Sequence, residues 1–311
     1  MNQMAILLRR ELWENRAITA APAVIGGLLL LVAILSVIGV ASVHVGNMPF
    51  DAMEAARRLD PESTGPLLQV GFMTIGVTFN SVMILVIAFY LLDSLYADRK
   101  DRSVLFWKSL PVSDTQIVLS KLATAAIVIP LVTLVVFLLT DVVLYLIGGI
   151  TIATAGNWAI LSQGPGALLQ TGLTTLYALT VQSLWYMPLF GWLLLASAWA
   201  KRGVLWWAVL PPVALILVEN LAFDTHVLAR LIGERVTGVF PLAFRQTSEG
   251  EIQAMAHEHT ENGLEITAPE STLELINPGP LLADPGLWGG FIVAAVFIAG
   301  AIWLRRYRDE T

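Results

Sequence analysis

Cysteine is missing from this chain of 311 residues. That excludes a disulfide framework, a Cys-ligated zinc site, an iron-sulfur cluster and a thiol nucleophile, and it leaves the redox compartment unreadable from thiol usage. Charge is scarce as well. Asp, Glu, Lys and Arg make up 14% of the residues against 56% apolar ones, a balance no soluble domain carries without exposing much of that apolar surface. The formal net charge of -6 says little as a total, because its distribution across a membrane is what carries information. Each lysine, Lys100, Lys108, Lys121 and Lys201, follows Arg, Trp, Ser or Ala, so the Gly-Lys-Ser/Thr ending of a phosphate-cradling loop is absent. Energy from ATP would have to arrive through another polypeptide. His-Glu-x-x-His and Gly-x-Ser-x-Gly patterns are absent too, and covalent chemistry by this chain is not expected.

What is abundant is bilayer-length hydrophobic sequence. Six runs are long enough to cross about 30 Å of hydrocarbon, which takes roughly 20 helical residues. They lie near Ala17 to Val43, Val70 to Tyr96, Ile117 to Ile147, Leu168 to Ala200, Val204 to Phe223 and Leu287 to Leu304. The first is longer than a signal-peptide core and no small-residue cleavage pattern follows it, so it is expected to remain as a span. Pro130 and Pro188 are expected to kink the third and fourth.

Lys and Arg in the connections indicate orientation. With the N-terminus inside, thirteen fall on the inner side, Arg9, Arg10, Arg16, Arg99, Lys100, Arg102, Lys108, Lys121, Lys201, Arg202, Arg305, Arg306 and Arg308, against five outside: Arg57, Arg58, Arg230, Arg235 and Arg245. The expected fold is an all-α membrane protein with six transmembrane helices, both termini cytoplasmic and a small external segment between the fifth and sixth spans. Four stretches result: an interfacial N-terminal helix over 1–16, five spans over 17–223 with a charged segment at 97–116, an external acidic segment over 224–286, and the sixth span with its tail over 287–311.

In the first stretch, Met4, Leu7, Leu8 and Leu12 recur at helical spacing, with Arg9, Arg10, Glu14 and Arg16 in other directions, which suits a helix lying in the membrane interface with Trp13 at headgroup depth. Between the first two spans, Phe50 to Leu59 could form a helical turn or more. The 224–286 segment carries Glu249, Glu251, Glu258, Glu261, Glu265, Glu270 and Glu274 and is long enough for mixed short elements. Its His257-Glu258-His259 would share a face only on a strand; with no further ligand it reads as solvated loop, and no metal site is expected.

Polar residues inside spans are expensive and invite a functional reading. Asp141 and Glu219 each lie about 20 residues beyond an inner lysine, near the outer boundary, where they read as interfacial acids or helix contacts, or as groups that gate or attract a cationic group at the outer mouth. Asp93 reads as a partner for the nearby cations. Thr74, Thr78 and Ser81 form a polar stripe on the second span, and Thr171, Thr175 and Gln182 on the fourth. Such faces allow close helix packing, and both stripes are also candidates for lining a pathway, most simply at a subunit interface.

The most informative segment joins the second and third spans: Asp98-Arg99-Lys100-Asp101-Arg102-Ser103, then Phe106-Trp107-Lys108-Ser109-Leu110-Pro111-Val112-Ser113 and Lys121. A basic patch that only binds anionic lipid needs the cations, but not Phe106, Trp107 and Leu110 among them. This segment resembles the cytoplasmic signature of type-2 ABC transporter permeases: a charged cluster, a short coupling helix, a Leu-Pro-Val-Ser turn and a following Lys. Arg102-Ser103 departs from the Gly-Thr that many members carry. The resemblance implies a permease in a bacterial cytoplasmic (inner) membrane that pairs with a second permease copy and binds two copies of an ABC ATPase subunit, the latter holding ATP and Mg. It also implies export as the commoner direction, and contact with the ATPase through Asp98, Arg99, Lys100, Asp101, Arg102, Phe106, Trp107, Lys108, Leu110 and Pro111. No cofactor in this chain and no nucleic acid partner is implied. Two other classes stay open: an ion-coupled secondary transporter using Asp93, Asp141 or Glu219, and a non-transporting sensor or assembly subunit.

Overall fold

Backbone N–H and C=O groups find no water inside hydrocarbon, so a chain this apolar satisfies them within helices. The computed structural model, which describes residues 3–38, 43–45, 48–50, 61–100, 112–154, 156, 158–245 and 272–307, is accordingly almost wholly helical. Helix α1 (Gln3–Glu14) turns at Asn15 and Arg16 into α2 (Ala17–Val37). A short antiparallel hairpin, β1 (Val43–Val45) and β2 (Met48–Phe50), pairs Val43 with Phe50. Next comes α3 (Pro61–Lys100).

Helix α4 (Asp114–Ala123) opens on a capping box. The Ser113 hydroxyl accepts from the Gln116 N–H at 3.2 Å, and the Gln116 side chain accepts from the Ser113 N–H at 3.0 Å. A π turn (Thr124–Val128) carries α4 into α5 (Ile129–Thr154). Helices α6 (Ala159–Trp185) and α7 (Met187–Trp199) meet at a 55° bend. They are followed by α8 (Val204–Phe223), α9 (Val227–Thr237), α10 (Val239–Ala243), a 3-10 turn (Thr272–Leu275), α11 (Pro278–Ala283) and α12 (Pro285–Tyr307).

Among the described residues five helices are long and apolar enough to cross a membrane, and the bent α6–α7 pair makes a sixth candidate, in the order the hydrophobic runs predict. The boundaries differ. The first span stops at Val37 rather than Val43, and the second and third extend well past their apolar runs, to Pro61–Lys100 and Asp114–Thr154. Both predicted proline sites perturb the backbone. The π turn sits just before Pro130, and the bend at Tyr186 places Pro188 in the first turn of α7, where a missing N–H costs least.

The core lies where α2, α3, α5 and α6 meet. Phe79 and Phe137 pack edge to face with centroids 5.7 Å apart. Phe137 also lies over Gly76, where a Cβ would stand in ordinary contact, 3.5 Å from its ring. Helices α7 and α12 approach more closely, since a Cβ on Gly191 would lie 3.1 Å from the Ala294 carbonyl oxygen. Leu221, Phe223, Ile292 and Val296 are exposed, as lipid-facing side chains are.

The described part of the segment after α8 folds back onto α6. The Tyr177 and Tyr186 hydroxyls donate to the Ala243 and Val236 carbonyls at 2.9 and 2.7 Å, and the Thr174 hydroxyl meets that of Thr272 at 3.2 Å. Arg235 stacks 4.2 Å above the Trp185 ring. Burial draws its pKa down from the usual arginine value, while Asp284 opposes that shift. The glutamates from Glu249 to Glu270, together with His257 and His259, lie outside the described residues.

Candidate functional site: a buried ion network behind the charged segment

The charged segment connects the end of α3 to Ser113, the cap of α4. Both attachment points sit on a network of buried ions. Lys121 on α4, 5% exposed, places its ammonium 3.1 Å from Glu11 Oε1 on α1 and 3.6 Å from Asp98 Oδ2 on α3. Glu11 is equally buried, and its other oxygen accepts from the Tyr90 hydroxyl at 2.8 Å and from the Asn15 amide at 3.4 Å. Arg305 on α12 spans the far side, at 3.0 Å from Asp98 Oδ2 and 3.1 Å from Asp114 Oδ1.

Arg99 joins α3 to α7 by donating to the Ala200 carbonyl at 2.9 Å and to that of Ser197. The Ser197 hydroxyl itself donates to the Leu92 carbonyl at 2.7 Å and accepts from the N–H groups of Leu95 and Tyr96 at 3.1 and 3.0 Å. Five helices are thus tied together where the segment begins and ends. Buried charges persist only when paired and hydrogen-bonded, and removing one partner strands the others. Short polar contacts thus join the end of α3 and the start of α4 to α1, α7 and α12.

The expected site residues fall into four groups. Asp98 and Arg99 belong to the network, and Lys100 is exposed at the helix end. Asp101, Arg102, Phe106, Trp107, Lys108, Leu110 and Pro111 lie outside the described residues. The two polar stripes separate. Thr74, Thr78 and Ser81 are exposed on α3, each hydroxyl donating to the carbonyl four residues back, whereas Thr171 and Gln182 are buried on α6 and Thr175 is half-buried near Gly76. The two acids separate as well. Asp141 is 1% exposed, while Glu219 caps α9, its carboxylate accepting from the N–H groups of Val227 and Leu228 at 2.8 and 2.9 Å.

One reading from sequence changes. Asp93 is exposed, and Asp98, one turn further along α3, takes the cations instead. Helix α1 packs along α4, with Leu7 and Glu11 buried against it. Glu11, Tyr90, Asp114, Ser197 and Arg305 were missed as members of one site. Glu11 could have been found: it lies four residues after Leu7 and three after Leu8, an acid inside an apolar stripe.

No curated protein and no solved structure matches the chain. Residues 67–177 run from the second span through the charged segment and the third span into the fourth. They match the family model described as ABC-2 family transporter protein, a finding consistent with a type-2 ABC transporter permease.

Proposed function

We propose that this chain is the membrane-spanning permease subunit of an ATP-driven ABC transporter, an exporter that takes its power from a separate ATPase. The observation that carries the reading is the buried network anchoring both ends of the 101–111 segment. A docking element transmits displacement when it is anchored to a partner and its own base does not yield. Phe106 and Trp107 supply the apolar anchors and Arg102 and Lys108 the charged rim. Asp98 and Arg99 hold the base. The matched family stretch contains this whole segment.

In this reading ATP and Mg are bound by the partner, of which there are two copies, and this chain does no catalysis. A second permease copy meets the exposed Thr74, Thr78 and Ser81 face, so that the pathway runs between copies in a bacterial inner membrane with both termini cytoplasmic. The alternative of an ion-coupled secondary transporter loses support from Glu219, whose carboxylate is occupied as a helix cap.

The test is replacement of Phe106 and Trp107 together by Ala. Each anchor is worth about 2 kcal/mol at such an interface. The inserted variant should lose most of its co-purifying ATPase and its transport-linked ATP turnover, whereas Arg102→Glu should give a smaller, salt-sensitive loss. Full association and transport in the aromatic double variant would refute the docking role.

A further inference from the structure

Asp141 is buried to 1% exposure in α5, and among the described residues neither carboxylate oxygen has a hydrogen-bond partner. Its level in the bundle follows from packing. Phe137 and Thr175 both face Gly76, so α3, α5 and α6 meet there. One helical turn further from the ion network stand Asp141, Thr171 and Phe72, all at most 4% exposed. The Thr171 hydroxyl is likewise unpartnered among the described residues. About one turn beyond, the buried Gln69 donates to Gln170 at 3.2 Å, and the Gln69 side-chain oxygen has no partner among the described residues.

No cation on the packed helices faces the acid. Helix α2 has no titratable side chain, α3 has none from Pro66 to Phe89, and α6 has only Tyr177, whose hydroxyl is given to the Ala243 carbonyl. On α5 itself the neighbouring titratable group is Tyr145, which donates to the Ile160 and Leu161 carbonyls. Native structures leave few buried polar atoms unsatisfied, and an intramembrane acid without a counter-charge marks an ion or proton site. A metal cation needs several oxygens converging on one point. Here the unpartnered oxygens lie on three helices at two levels, Asp141 with Thr171 and Gln69 about one turn beyond, which suits a single proton passed between them and water.

We propose that Asp141 is a proton-binding site, reached from the end of the bundle opposite the ion network past Thr171 and the Gln69–Gln170 pair. The proton adds to one carboxylate oxygen and leaves by the same route. This goes beyond the permease reading and does not depend on it.

The test is infrared difference spectroscopy of the purified chain in lipid nanodiscs across a pH titration, which needs neither ATPase nor substrate. The expected result is a protonated-carboxyl C=O band that fades as pH rises, is lost in Asp141→Asn and persists in Glu219→Gln. Thr171→Val, which keeps the acid, should shift that band. A band insensitive to Asp141→Asn, or one sensitive to it that never changes with pH, would overturn the proposal. If Asp141→Asn does not fold, the absence of any titrating band moved by Thr171→Val would overturn it equally.

Discussion

Lys121 is the residue on which the ion network turns, because Glu11 and Asp98 share its ammonium in a setting that excludes water. Replacing it by Ala leaves Glu11 without a counter-charge and Asp98 with Arg305 alone, a change that costs about 3–5 kcal/mol for a buried pair. The Lys121→Ala variant should unfold at markedly lower temperature in detergent. The double variant Glu11→Gln with Lys121→Met should recover much of that loss, since a neutral pair of similar volume avoids uncompensated charge. Equal destabilisation in single and double variants would show that the loss is one of packing alone. At this scale the sequence was only half legible. Lys121 stood out by its place after the capping turn, but Glu11 hid inside an apolar stripe, and Arg305 read as a topology signal because its partners lie about two hundred residues away in the chain.

At the level of elements, the bent α6–α7 pair is fastened to α3 through Ser197, which makes three hydrogen bonds to the backbone of Leu92, Leu95 and Tyr96. Ser197→Ala leaves these groups without the hydroxyl and should cost about 1–3 kcal/mol, because each stranded buried group keeps its desolvation penalty. Thermal unfolding would read the loss directly; a change within experimental error would mean that the three backbone groups find partners along their own helix. The bend itself was legible from Pro188, which has no N–H and crowds the carbonyl four residues back. Helix lengths were not. Hydropathy marks what lipid can cover, whereas α3 continues through its polar first turns and α5 through Gly148, Gly149 and Thr151, where packing and backbone bonding extend the helix. The two polar stripes teach a related lesson: similar spacing on α3 and α6 defines a face in each helix, yet only the neighbours decide which face is covered.

For the whole molecule, orientation and pairing are the open quantities, and a chain without cysteine makes both accessible. Cysteines placed at Lys108 and Lys201 should resist an impermeant thiol reagent added to intact cells, while one at Glu258 should react. Labelling of position 108 from outside would invert the topology and remove the docking role. Cysteines at Thr74 and Ser81, on the exposed face of α3, should cross-link two copies in native membranes. Capture of monomers alone along that face would place the pairing surface elsewhere. The ion network has a temporal side as well. Its members lie at 11, 90, 98, 114, 121 and 305, so a ribosome delivers Glu11 long before Arg305. Asp114 waits for a guanidinium that emerges only with α12. A nascent chain stopped short of residue 305 therefore lacks the cation that Asp114 meets in the folded bundle, and the arrival of α12 closes that ion pair.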